Sequence, residues 1–174
     1  MKRHPLTLAL YPHYRGFGWV VFEGVFAPYD WGLVSARKDK NAVCLKRLER
    51  LLRRFQPETL VLEAFERETS KRHDRVTRLC RSIQALAADR GVDVAVYTRS
   101  QVQASFANVG AVTRQEIAEA VARHVDAFRH RLPPPRRAWE ADDERLCLFM
   151  AGALVLTHYA FGANQLFEDL KRGV

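Results

Sequence analysis

Hydrophobic and polar positions along the chain change period several times. Leu6 to Tyr11 is a short apolar run that reads as a strand. Trp19 to Val25 follows a turn around Arg15 to Gly18, and Trp31 to Ala36 completes an antiparallel meander. The period then lengthens: Asn41 is placed to cap a helix whose apolar positions are Leu45, Leu48, Leu52 and Phe55. Gln56-Pro57 closes it, because the residue before proline is driven out of the helical region. Thr59 to Ala64 (TLVLEA) is almost wholly apolar, the pattern of a central strand covered on both faces. A helix is expected over Asp74–Arg90, stopped by Gly91, and a further strand over Val92–Tyr97. Ser100 can cap a short helix ending near Asn108 to Gly110. Thr113 and Glu116 have capping-box spacing and open a helix towards His130. After the stiff Pro133-Pro134-Pro135 link, a last helix over Glu140–His158 is apolar nearly all round and should lie buried on the sheet. The order β-β-β-α-β-α-β-α-α-α predicts an α/β chain with a five-stranded mixed sheet, the antiparallel meander first and parallel strands after it, flanked by helices.

Length and composition narrow this without changing it. The 174 residues suit one domain spanning 1–174, and a 48% hydrophobic content suffices for a continuous core. No uninterrupted apolar run approaches the roughly 20 residues that span a bilayer. The N-terminal run Leu6 to Leu10 is too short for a signal peptide. Cys44, Cys80 and Cys147 lie outside any metal-binding spacing and read as buried thiols of a reducing cytoplasm. The six histidines form no HxxxH or HExxH pair, which argues against zinc. Charge adds more: 28 Lys and Arg against 20 Asp and Glu leave +8, an excess that draws polyanions.

Four stretches carry a family resemblance. Tyr97 to His124 (YTRSQVQASFANVGAVTRQEIAEAVARH) contains Gln101-Val102-Gln103, Asn108-Val109-Gly110 and Arg114-Gln115-Glu116-Ile117. With LALYPHYRGFGWVVFEG, LVLEAFE and GALVLTH it resembles, in order, the RuvC family of Holliday-junction resolvases. The element order is likewise that of the RNase H-like fold. The resemblance implies hydrolysis of a DNA phosphodiester at a branched junction, usually by a homodimer and with Mg²⁺ or Mn²⁺. That chemistry needs carboxylates converging on two divalent ions about 4 Å apart, one activating water and one stabilising the leaving oxygen.

The resemblance makes Glu63 a metal ligand and catalytic residue; a salt bridge to an arginine is the alternative for a carboxylate ending an apolar strand. Asp142, Asp143 and Glu144 stand where the family carries an acidic pair, Asp143 favoured over Asp142 as metal ligand and catalytic residue. Counted back from Thr157-His158, however, these acids sit about one helical turn early, and acids also favour a helix N-terminus for its dipole alone. The first strand departs from the family altogether. Where the family has Asp-Pro-Gly, this chain has Tyr11-Pro12-His13, and a neutral phenol is a poor Mg²⁺ ligand.

Between Arg67 and Arg81 stand six cations (Arg67, Lys71, Arg72, Arg75, Arg78, Arg81) against two anions, Glu68 and Asp74. On a helix, Lys71, Arg75 and Arg78 share the face opposite Val76, Leu79 and Ile83, and that face is expected to contact phosphates. Arg114 and Gln115 extend it, while Phe65 suits either core packing or stacking on an unpaired base. Three functions compete. One is a nucleic-acid-binding protein with a degenerate two-metal site, favouring branched or duplex DNA. The second is an active Mg- or Mn-dependent endonuclease, and the third a non-enzymatic assembly component.

Overall fold

A computed structural model describes residues 4–173 apart from 26, 65–70, 138 and 141–142, and leaves the side chains of 71–73 and 165–167 undescribed. Three strands, β1 (Thr7–Pro12), β2 (Gly16–Phe22) and β3 (Pro28–Ser35), form the expected meander. Next come α1 (Lys40–Phe55), β4 (Thr59–Glu63), α2 (Lys71–Asp89) and β5 (Asp93–Tyr97). The chain closes with α3 (Arg99–Phe106), α4 (Arg114–His124) and α5 (Leu146–Lys171). The five strands are ordered β3-β2-β1-β4-β5, with β1–β4 and β4–β5 parallel and the meander antiparallel. This is the mixed sheet expected from the element order.

β1 lies at the centre and is buried on both faces, so its residues alternate between two cores. Leu8 and Leu10 face α1 and α2, with Phe17, Leu60, Leu79 and Ile83. Ala9 and Tyr11 face the opposite layer, with Val61, Ile117, Leu148 and Leu154. By length and composition α5 could cross a bilayer, but 61% of its apolar window is buried inside the protein, as befits a core helix. The three cysteines are buried thiols, none of them in a disulfide, as expected.

Several boundaries move, each for a physical reason. β2 starts at Gly16 rather than Trp19, because its glycines serve close approach instead of a turn. A Cβ on Gly16 would lie 1.8 Å from the Val34 carbonyl oxygen, and one on Gly18 would lie 2.4 Å from the Cys147 backbone. Asn41 does not cap α1: the helix begins one residue earlier, behind Asp39, and the Asn41 amide is engaged elsewhere. α3 is capped by Thr98, not Ser100, through a capping box with Gln101. α4 stops at His124, short of His130, where extended Val125 leads into a 3₁₀ stretch at 126–131. That break turns Phe128 into the core, edge-on to Trp31 (5.0 Å), Phe22 and Phe149 (6.2 Å each). α5 starts at Leu146 instead of Glu140, so Asp143 and Glu144 precede the helix, and it runs past His158 to Lys171.

Candidate nucleic-acid interface

The parallel register pairs Thr7 with Thr59 and Ala9 with Val61. Two residues further on, the same face carries Tyr11 on β1 and Glu63 on β4, at the carboxyl ends of adjacent strands where open α/β sheets bind ligands. The Tyr11 hydroxyl donates a hydrogen bond to the Glu63 carboxylate. Burial pushes the Tyr11 phenol well above its ordinary value, and the negative charge of Glu63 pushes it the same way against the pull of Arg114. Tyr11 is therefore a neutral donor. Burial likewise raises the Glu63 carboxyl, and the charge of Arg114, the Tyr11 hydrogen bond and Arg99 each oppose that rise. The Arg114 guanidinium lies 5.8 Å from the Tyr11 ring centroid.

The recess around this pair is closed by the first turns of α5. Met150 lines it, and Cys147 is close enough to Tyr11 to influence its titration. Cys147 stands four residues on from Asp143, which is the helical turn by which the sequence acids come too early. Gly18, opposite Tyr11 in the β1–β2 register, makes this closeness possible by letting the Cys147 backbone rest on β2. The recess has a volume of about 20 Å³, room for about one water molecule.

Asp143 and Glu144 point elsewhere. Asp143 is chelated by Arg145: Oδ2 accepts from Nη2 at 2.7 Å, and Oδ1 from Nε at 3.0 Å and the backbone N–H at 2.9 Å. These bonds hold its carboxyl below the ordinary value. Glu144 faces Arg15 at 3.6 Å, too long for a hydrogen bond. Asp142, the other acid expected at this place, lies outside the described residues. Among the described residues no group of three or more His, Cys, Asp or Glu side chains could hold a metal ion. A divalent cation suits oxygen anions in number, whereas here one carboxylate is hydrogen-bonded to a phenol and faced by arginines. The described donors do not fit a two-metal centre.

The recess adjoins a larger cleft of about 570 Å³, within the usual range for ligand sites. Arg99, Gln103 and Arg114 line both, and Gln115, Arg136 and Asp143 complete the cleft. Arg114 and Gln115 line this cleft, whereas none of its described lining residues belongs to α2, whose basic face they were expected to extend. Arg99, Gln103 and Arg136 were missed, although the Thr98–Gln101 capping box fixes Arg99 at the opening of α3, beside the strand end.

On α2 the expected basic face divides. Arg78 and Arg81 are exposed, opposite buried Val76, Leu79 and Ile83. Arg75 departs from the expectation. It is half-buried and donates to Asn41 Oδ1 (2.9 Å), to the His13 carbonyl (3.3 Å) and to the Tyr14 carbonyl, while Asn41 Nδ2 returns a bond to the Arg75 carbonyl. Arg75 clasps the β1–β2 turn to α1 and α2. Phe65 and Arg67, and the side chains of Lys71 and Arg72, lie outside the described residues.

No protein-family model and no curated protein matches the sequence. Solved structures do. RuvC of Thermus thermophilus bound to a Holliday junction is 22% identical, with a TM-score of 0.69 over 93% of this chain and 96% of that one. A second structure of Thermus thermophilus RuvC is 24% identical, with a TM-score of 0.66 over 92% and 96%. The yeast mitochondrial Holliday junction resolvase is 10% identical, with a TM-score of 0.54 over 94% and 85%. The chain thus has the RNase H-like fold of RuvC over nearly its whole length, and at these identities the likeness is one of fold.

Proposed function

We propose that this protein binds nucleic acid, branched or duplex DNA in preference, across the carboxyl ends of β1, β4 and β5, and does not cut it through Glu63. One observation carries the reading: the Tyr11 hydroxyl satisfies the Glu63 carboxylate inside a recess of about 20 Å³, at the mouth of an arginine-lined cleft. A phosphodiester is attracted to Arg99, Arg114 and Arg136, and to Arg78 and Arg81 on α2, through charge and hydrogen bonding that carry no sequence information. Hydrolysis would need a charge-stabilised nucleophile, and a neutral phenol paired with a single carboxylate does not supply one. The Holliday junction held by Thermus thermophilus RuvC makes a four-way junction the first ligand to try.

The test is a gel-shift titration of a labelled four-way junction and a linear duplex over a salt series. Affinity should fall steeply with salt, by a slope near −0.9 for each phosphate contacted. Arg78→Glu combined with Arg114→Glu should weaken binding about tenfold or more, since each reversal replaces a phosphate contact with repulsion. Equal binding by that double variant, or no shift of any DNA at low salt, would overturn the proposal.

A further inference from the structure

The loop between the 3₁₀ stretch and α5 contains a feature that core packing does not account for. Trp139 is 79% exposed, the most exposed of the large hydrophobic side chains among the described residues. Its turn is built rather than loose. The Glu140 N–H donates to the Arg137 carbonyl at 3.0 Å, and the Glu140 carboxylate accepts from the Arg137 N–H at 3.0 Å. Arg136 Nη1 donates to the Glu140 carbonyl at 2.7 Å. On the incoming side, Pro133 to Pro135 form a stiff segment lining the cleft, and Gln115 Nε2 ties it to α4 by donating to the Pro133 carbonyl at 3.3 Å. An indole is thus held out in water on a braced turn, with the Arg137 guanidinium 5.7 Å from its ring centroid.

Position gives the exposure a meaning. Arg136 lines the cleft and Trp139 is three residues away, a span of at most about 10 Å of chain, within reach of one nucleotide of an extended strand. Aromatic faces beside cations are how proteins hold single-stranded nucleic acid: bases stack on the ring and the backbone follows the charge. A paired duplex keeps its bases inside and offers an indole nothing to stack on. We infer that Trp139 is a stacking platform for an unpaired base, with the flanking phosphates in the cleft of Arg99, Arg114 and Arg136. The inference rests on the nucleic-acid-binding reading above and adds a preference for DNA carrying unpaired bases.

The experiment compares a fully paired duplex with the same duplex carrying a central bulge of unpaired bases. Binding is followed by fluorescence anisotropy for wild type, Trp139→Ala and Trp139→Phe. Trp139→Ala should bind the bulged DNA about tenfold more weakly, the scale of one lost base–aromatic stack, and the paired duplex as well as wild type does. Trp139→Phe should recover most of the loss, and a 2-aminopurine in the bulge should respond to wild type and Trp139→Phe but not to Trp139→Ala. If wild type binds both DNAs and Trp139→Ala is unchanged on the bulge, or is weakened equally on both, the stacking role is refuted while nucleic-acid binding stands. A surface tryptophan reserved for a protein partner would give the first of those results. If wild type binds neither DNA, both readings fall together.

Discussion

At the end of β4, burial raises the half-buried Glu63 carboxyl, and three neighbours oppose that rise: the Arg114 guanidinium, the Tyr11 hydroxyl and Arg99. Removing the hydroxyl alone leaves the carboxylate short of a donor. Tyr11→Phe should therefore cost about 1–3 kcal/mol at neutral pH, seen as a lower midpoint in urea or heat. Burial still holds the Glu63 proton more tightly in the folded protein than in the unfolded chain. Its contribution to stability is complete below the unfolded carboxyl value, near pH 4.3, and is lost as pH rises through the higher folded value. Glu63→Gln should accordingly melt higher than wild type at pH 7, with the two converging below pH 4. A variant that melts lower at pH 7 would show that the arginines outweigh burial. Tyr11→Asp supplies the acid that the family resemblance asks for, yet Val102, Ile117 and Met150 still line the recess. No junction cleavage with Mn²⁺ is expected from that change, and cleavage would show that acids outside the described residues complete a site.

The elements that frame this pair depend on contacts that a pattern of apolar positions does not encode. Gly18 reads in sequence as part of a turn, but it lies within β2 and admits the backbone of α5. Gly18→Ala should cost about 1–3 kcal/mol or more through overpacking, because the nearest atoms are main chain and cannot yield. Arg75 reads as one cation of a phosphate-binding face, and periodicity alone does not distinguish a solvated guanidinium from one spanning two backbone carbonyls and an amide. Arg75→Ala should destabilise the fold by about 2–3 kcal/mol, and Arg75→Lys should rescue little, since an ammonium lacks the planar fork. The same limit explains the acids before α5. Their attraction to a helix start was legible, but the start itself lies later, at Leu146, where a helix apolar all round gives no phase for choosing the residues that face β1. The central place of β4, by contrast, was legible, because a short run that is apolar on both faces must be covered on both.

Across the whole molecule the net charge is +8, and three of its arginines, Arg99, Arg114 and Arg136, line the cleft beside the Tyr11–Glu63 pair. The fold and the position of Glu63 could be read from order and motif. The missing carboxylate on β1 could be read from Tyr11, but the packing of Met150 against the recess could not, because a thioether is not a group that a search for Mg²⁺ ligands singles out. The most direct measurement incubates a labelled four-way junction with the protein and Mn²⁺ at low salt, then runs native and denaturing gels from the same tube. A shifted junction whose strands remain intact is expected. Incision that disappears in Glu63→Gln would contradict the account, as would a junction that does not shift at all.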